Sequence, residues 1–333
     1  MTRTLKLAVA ALTVTICLPL TLQAHRQWML PSATILSGND PWVTVDAAIS
    51  NDLFYFEHFP MRLDNLVVTA PDGTAAKAEN QGTGRYRSTF DVHLTQKGTY
   101  KLAIVNHTVA ASYTANGEAK TFRGSPDAFA KEVPAGAADL KVSRTSSRNE
   151  LFVTSGRPTE TVLKTTGLGL ELAPVTHPND LVVGEDATFA FVLDGKPAAN
   201  LPVTLIPGGI RYRDSLGEIK ATTDKDGKIT VKFPAPGMYW VNATFSEGGA
   251  PRREGNPPSA AADMDSRPAR GPNVGAEAAT QEQAPAAAPA GGPRGPQAQG
   301  PGRPGGRGPG MDNRPIVPGR RASYIATFEV LPQ

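Results

Sequence analysis

Between residues 25 and 247 the chain is dominated by short runs in which apolar and polar residues alternate, each closed by turn residues. Trp42-Val43-Thr44-Val45, Asn65 to Thr69, Arg87 to Val92 and Tyr100 to Val105 carry β-branched and aromatic residues at a period near two, the pattern of half-buried strands. Pro71-Asp72-Gly73 and Gln96-Lys97-Gly98 separate them, with glycine supplying the positive φ of the turn. The pattern returns in Ala187 to Leu193, Leu201 to Ile206, Ala221 to Thr223, Lys228 to Phe233 and Met238 to Phe245. Apolar stripes of helical period are few, and Asp127 to Lys131 is the one short helical stretch, a connector. Strands at roughly 8 to 12 residue spacing predict an all-β chain of two Ig-like or transthyretin-like β-sandwich domains. The first covers residues 25–170 and the second 171–247 plus 321–333.

The gap in the second domain follows from a change of composition. Residues 248–320 are rich in Gly, Pro, Ala, Gln and Arg and contain no Phe, Tyr or Trp, so they lack the apolar surface needed to offset the entropy of ordering. They read as a disordered insertion. Ala322 to Val330 then resumes the strand pattern, which predicts an antiparallel pair with Met238 to Phe245 whose connecting turn has been replaced by the insertion. Loop-closure entropy grows only logarithmically with length and tolerates this. The arginines of Gly302 to Gly308 resemble RNA-binding RGG segments, but interspersed acidic residues and missing aromatics favour a solvated linker and no nucleic-acid partner.

At the other end, Arg3 and Lys6 precede an apolar stretch from Leu7 to Leu20, and Thr21 to Ala24 ends in a small residue. That order predicts a signal peptide over residues 1–24, cleaved between Ala24 and His25, and hence export to the periplasm. No later run is long and apolar enough for a stable membrane anchor. The only cysteine, Cys17, leaves with the leader, and Ile16 before it is wrong for lipid attachment. The formal charge of +3 includes the two leader cations, so the exported chain is nearly neutral.

Two stretches carry a family resemblance. The opening Ala24-His25-Arg26-Gln27-Trp28-Met29-Leu30-Pro31 resembles the start of DUF4198 proteins, periplasmic proteins often described as NikM-like components of cobalt or nickel uptake systems. Gly169-Leu170-Glu171, Pro174 and Pro178, followed by Asp194-Gly195-Lys196-Pro197, resemble that family's interdomain segments. The turn Thr223 to Gly227 and Pro236 to Tyr239 are similar to carboxypeptidase-regulatory-like β-sandwich repeats. The resemblance implies association with metal uptake, with an inner- or outer-membrane transporter as partner.

The residues supply a chemistry of their own. A terminal histidine offers its α-amine and imidazole Nδ1 to one metal ion in a chelate ring, and both nitrogens lose their protons near neutral pH. A further imidazole would complete a three-nitrogen site suited to copper or nickel, an arrangement similar to CopC-type copper-binding β-sandwiches. His25 is therefore the first candidate ligand for a divalent transition metal ion, Ni, Co or Cu. His58 lies in an aromatic loop, Phe54 to Pro60, near Asp52 and Glu57, and is either a pocket ligand or core. His93 alternates onto the polar face of its strand, His107 ends a strand, and His177 sits before Pro178 in a junction turn. Each is a candidate ligand, although solvent exposure, a strand end or a turn accounts for each more simply. No nucleophile elbow, HExxH helix or phosphate-cradling loop is present, so the expectation is a binding protein and not an enzyme. Asp224 to Gly227 opens like a calcium loop, but Ala235 stands where the twelfth-position glutamate belongs, which makes it a β-turn. The competing expectation is a metal-free docking module for an envelope transporter.

Overall fold

The computed structural model describes residues 25–248 and 316–333. The expected leader lies outside the described residues, as does the expected insertion except at its two edges. The described chain is built of strands in three sheets, with one α-helix, Pro126–Glu132, and two short 3-10 turns. The helix fits its expected place: Ser125 Oγ accepts from the Ala128 N–H at 3.1 Å, Pro126 opens the first turn, and Phe129 packs on Phe122.

The largest sheet has ten strands and runs through both halves of the chain. At its centre Gly319–Val330 pairs antiparallel with Gly237–Gly248 on one side and parallel with Ala138–Ser155 on the other. The strand pair expected to flank the insertion therefore forms, in register from Gly237↔Val330 to Gly248↔Gly319. Beyond Ala138–Ser155 comes Gly98–Ala115, antiparallel and equally long at 18 residues. The apolar pattern marks only Tyr100 to Val105 of that strand. From Asn106 onward its buried alternation shrinks to Val109 and Ala111 among hydroxyl-rich side chains, and ladder hydrogen bonds carry the strand on.

A five-stranded sheet and a four-stranded sheet use the large one as a common wall. In the five-stranded sheet Arg26–Pro31 and Ser88–His93 flank Trp42–Ser50, and Phe59–Pro60 adds to the end of Trp42–Ser50. Val43, Val45, Phe90 and Val92 point inward and are fully buried, while Thr44, Asp91 and His93 alternate outward. The four-stranded sheet centres on Asp186–Leu193, whose Phe189 and Phe191 meet Phe328 and Tyr324 at ring-centroid distances of 5.2 and 5.8 Å.

The strands shared by both halves are buried on two faces. On Gly237–Gly248, Tyr239 and Val241 join the core with Phe233, Leu205 and Phe328, whereas Trp240 joins Trp28, Ile206, Ile210 and Ile325 on the opposite side. This is why Tyr239-Trp240-Val241 is continuously apolar instead of alternating. The described residues of both halves belong to one compact unit.

Turn chemistry is tightest at Gly227. Its φ is +75°, and a Cβ there would lie 2.4 Å from the Phe191 carbonyl oxygen and 3.0 Å from the Ala198 nitrogen. Phe191 donates its N–H to the Gly227 carbonyl at 2.8 Å, so neither backbone can retreat cheaply. Gly227→Ala is expected to cost about 2 kcal/mol or more through strain and clash. Urea unfolding measures this, and an unchanged midpoint would show that the turn does not constrain the second half.

Candidate metal centre

The end of the Trp42–Ser50 strand gathers the first two candidates. Arg26 pairs with Ser50 on one flank, and Phe59 pairs with Ile49 on the other. His25 and His58, each one residue before these partners, therefore start on opposite sides of the same strand end. Their rings converge to a centroid distance of 4.2 Å at an interplanar angle of 73°. Phe59 stands 6.2 and 6.1 Å from the two imidazoles.

That spacing suits ligation of one ion by both rings. With metal–nitrogen bonds of about 2.0–2.1 Å, two imidazoles at right angles on one ion would hold their centroids about 4.5 Å apart. Ligation from opposite sides would need about 6 Å and a rotation of one side chain. Among the described residues no group of three or more His, Cys, Asp or Glu side chains forms a metal site. Side chains therefore provide two donors, and an α-amine on His25 would be the third. The donor set of nitrogens without sulfur fits copper or nickel.

The loop between the two histidines is held by hydrogen bonds. Glu57 Oε1 accepts the N–H groups of Asn51 and Asp52 at 2.9 and 2.8 Å. The Asn51 side-chain amide meets His58 Nε2 at 2.9 Å, which leaves Nδ1 as the His58 nitrogen for an ion, and the Asn51 carbonyl accepts from Arg26 Nη1 at 2.6 Å. The Trp28 indole donates to Ser50 Oγ, which in turn donates to the Asp52 carbonyl. The Glu57 and Asp52 carboxylates, near His58 in sequence, are engaged by Arg211, at 3.3 and 3.2 Å. The aromatic residues Phe54 and Phe56 face Trp28, at 5.5 and 5.6 Å, and so serve packing more than a pocket wall.

The other three histidines are occupied elsewhere. His93 pairs with Trp42, eight residues along the strand from Ser50 and so about 27 Å away at about 3.4 Å per residue. It stacks on Trp42 at 4.3 Å and bonds Asp40 at 2.5 Å. His107 faces Ser146 across the ladder and lines a narrow crevice with Arg148 and Gly169. Desolvation and then the Arg148 guanidinium lower its pKa. His177 Nδ1 accepts the Asn179 N–H at 3.0 Å, so its hydrogen is on Nε2, facing Thr99 Oγ1 at 3.1 Å and the Thr159 carbonyl at 3.3 Å. With both nitrogens used, His177 is a structural histidine.

Glu171, in the Gly-x-Glu stretch that carried the resemblance, also has a structural task. Its carboxylate accepts the N–H groups of Thr166, Gly167 and Leu168 and the Thr166 hydroxyl, and pairs with buried Arg148 at 3.2 Å. Burial raises its pKa, but hydrogen bonds from Thr166, the charge of Arg148 and the Gly167 N–H outweigh burial and leave it below the ordinary value. The sequence pattern marked this residue without revealing that it shapes the loop before Leu170–Pro174.

Among known proteins, residues 22–247 match DUF4198, a domain of unknown function. No curated protein matches the chain. One solved structure, the D00-D0 domain of Intimin, is similar at 13% identity over 66% of this chain and 91% of that one. Its TM-score of 0.17 is too low to bear on strand arrangement or function.

Burial lowers the pKa of His177, against smaller raising effects from Thr159, Asp180 and Glu160. The unfolded chain then binds more protons just below the ordinary value of about 6.5, so stability present above that pH is lost as pH falls through it. His177→Gln removes the titration. The stability difference between wild type and this variant, measured by urea unfolding at pH 7.5 and 5, is expected to narrow at the lower pH. A constant difference would contradict the neutral, buried assignment.

Proposed function

The chain belongs to the DUF4198 family, and on that premise we propose that it is a periplasmic protein that binds a divalent transition metal ion for uptake or handling. The observation that carries this reading is the convergence of His25 and His58. Cleavage between Ala24 and His25 would add an α-amine to these two imidazoles. His25 would then chelate through its amine and Nδ1, and His58 would supply the further nitrogen. An ion held this way competes with protons for its nitrogen ligands, so its affinity falls as pH falls. The recipient would be a membrane transporter of the nickel or cobalt type implied by the family resemblance, or a copper-handling partner.

The docking alternative draws on a different feature. Tyr212 is 79% exposed beside Tyr55 on the same end of the molecule, an aromatic contact suited to a protein partner. The two readings are compatible if the partner approaches the metal end.

Titration of the processed protein with Cu(II), Ni(II), Co(II) and Zn(II) tests the metal reading. One extra residue before His25, or His58→Ala, is expected to weaken binding of the preferred ion more than about tenfold, or about 1.4 kcal/mol. Equal affinity in all three proteins would remove His25 and His58 from the site. A wild-type protein that binds none of the four ions would leave docking as the function.

A further inference from the structure

Resting on the metal-binding reading, we propose that Arg211, from the second half of the chain, is a positioning residue that holds the His58 loop in its ligating shape. Its guanidinium makes three contacts with that loop. Nε meets Asp52 Oδ2 at 3.2 Å, Nη2 meets Glu57 Oε2 at 3.3 Å, and Cζ lies 4.1 Å from the centre of the Tyr55 ring. The chain of contacts continues to the ligand: Glu57 Oε1 fixes the Asn51 N–H, and the Asn51 side chain touches His58 Nε2.

The loop needs such a hold because its backbone is strained. Phe54 adopts φ +66°, the left-handed region that a bulky aromatic residue rarely enters. The second half supports this conformation at another point, since a Cβ on Gly208 would come within 2.9 Å of the Phe54 ring. Gly208 and Arg211 flank Ile210, which is buried with Trp28, Leu53 and Trp240. The 3-10 turn Ile210–Tyr212 is thus anchored in the core while its arginine reaches the loop. Arg211 is about half exposed, so each ion pair contributes little stability by itself. Its effect is geometric, and it also keeps two carboxylates occupied that would otherwise be available to compete for the ion.

Arg211→Met and Arg211→Lys test this in the full processed chain by Cu(II) titration and by the imidazole ¹H–¹⁵N signals of the metal-free protein. In Arg211→Met the His58 signals are expected to move and Cu(II) affinity to fall about tenfold, within the range for residues that orient ligands. Arg211→Lys, which keeps the charge, is expected to recover part of both. Unmoved His58 signals in Arg211→Met together with Cu(II) affinity within twofold of wild type would overturn the proposal. If wild type binds none of Cu(II), Ni(II), Co(II) and Zn(II), the metal reading fails separately, and the His58 signals alone decide whether Arg211 sets the loop.

Discussion

The pairing of Gly319–Val330 on both of its edges is the constraint from which the rest of the architecture follows. One edge is parallel to Ala138–Ser155 and the other antiparallel to Gly237–Gly248, so a single strand joins the ladders of both halves. Because side chains alternate, that strand must satisfy two cores at once. Tyr324 and Phe328 face the four-stranded sheet, and Ile325 faces Trp28 and Trp240. A peptide strand can be buried on both faces only when its backbone groups are paired on both edges, and here both ladders run from Gly319 to Thr327.

The candidate site depends on this shared wall. Trp240 donates its indole N–H to the Gln27 carbonyl at 2.8 Å, which ties the strand after His25 to the second half. Arg26, beside it, lies 5.9 Å from the Trp240 ring. The His58 loop rests on the same ground through Phe54, Gly208 and Arg211. Two histidines encoded 33 positions apart thus meet over a surface supplied by residues beyond position 200.

Charge is handled in two contrasting ways. At the site end, ion pairs to Arg211 are partly exposed and organise a surface loop. In the interior, Arg148 lies between Glu150 and Glu171, all three buried, with side-chain ion pairs at 3.1 and 3.2 Å. Removing one member would strand the others in a medium of low polarity, so this group fixes how the second half begins.

The alternation of apolar and polar residues was enough to locate most short strands, the all-β class and the final strand after the insertion, because period-two burial is written locally. The same locality explains what was missed: the outer reach of Gly98–Ala115 and the whole of Ala138–Ser155 are held by pairing with distant strands. For the site, residue chemistry put His25 first but could not say which of the other four histidines joins it, since a histidine's worth as a ligand depends on what occupies its nitrogens. Tertiary structure placed His25 against His58, gave both nitrogens of His177 to hydrogen bonds, stacked His93 on Trp42, and turned Asp52 and Glu57 toward Arg211. Local patterning dictates the short half-buried strands and which atoms can bind. Which of those atoms meet is settled by the packing of strands far apart in the chain, because no local pattern records that contact.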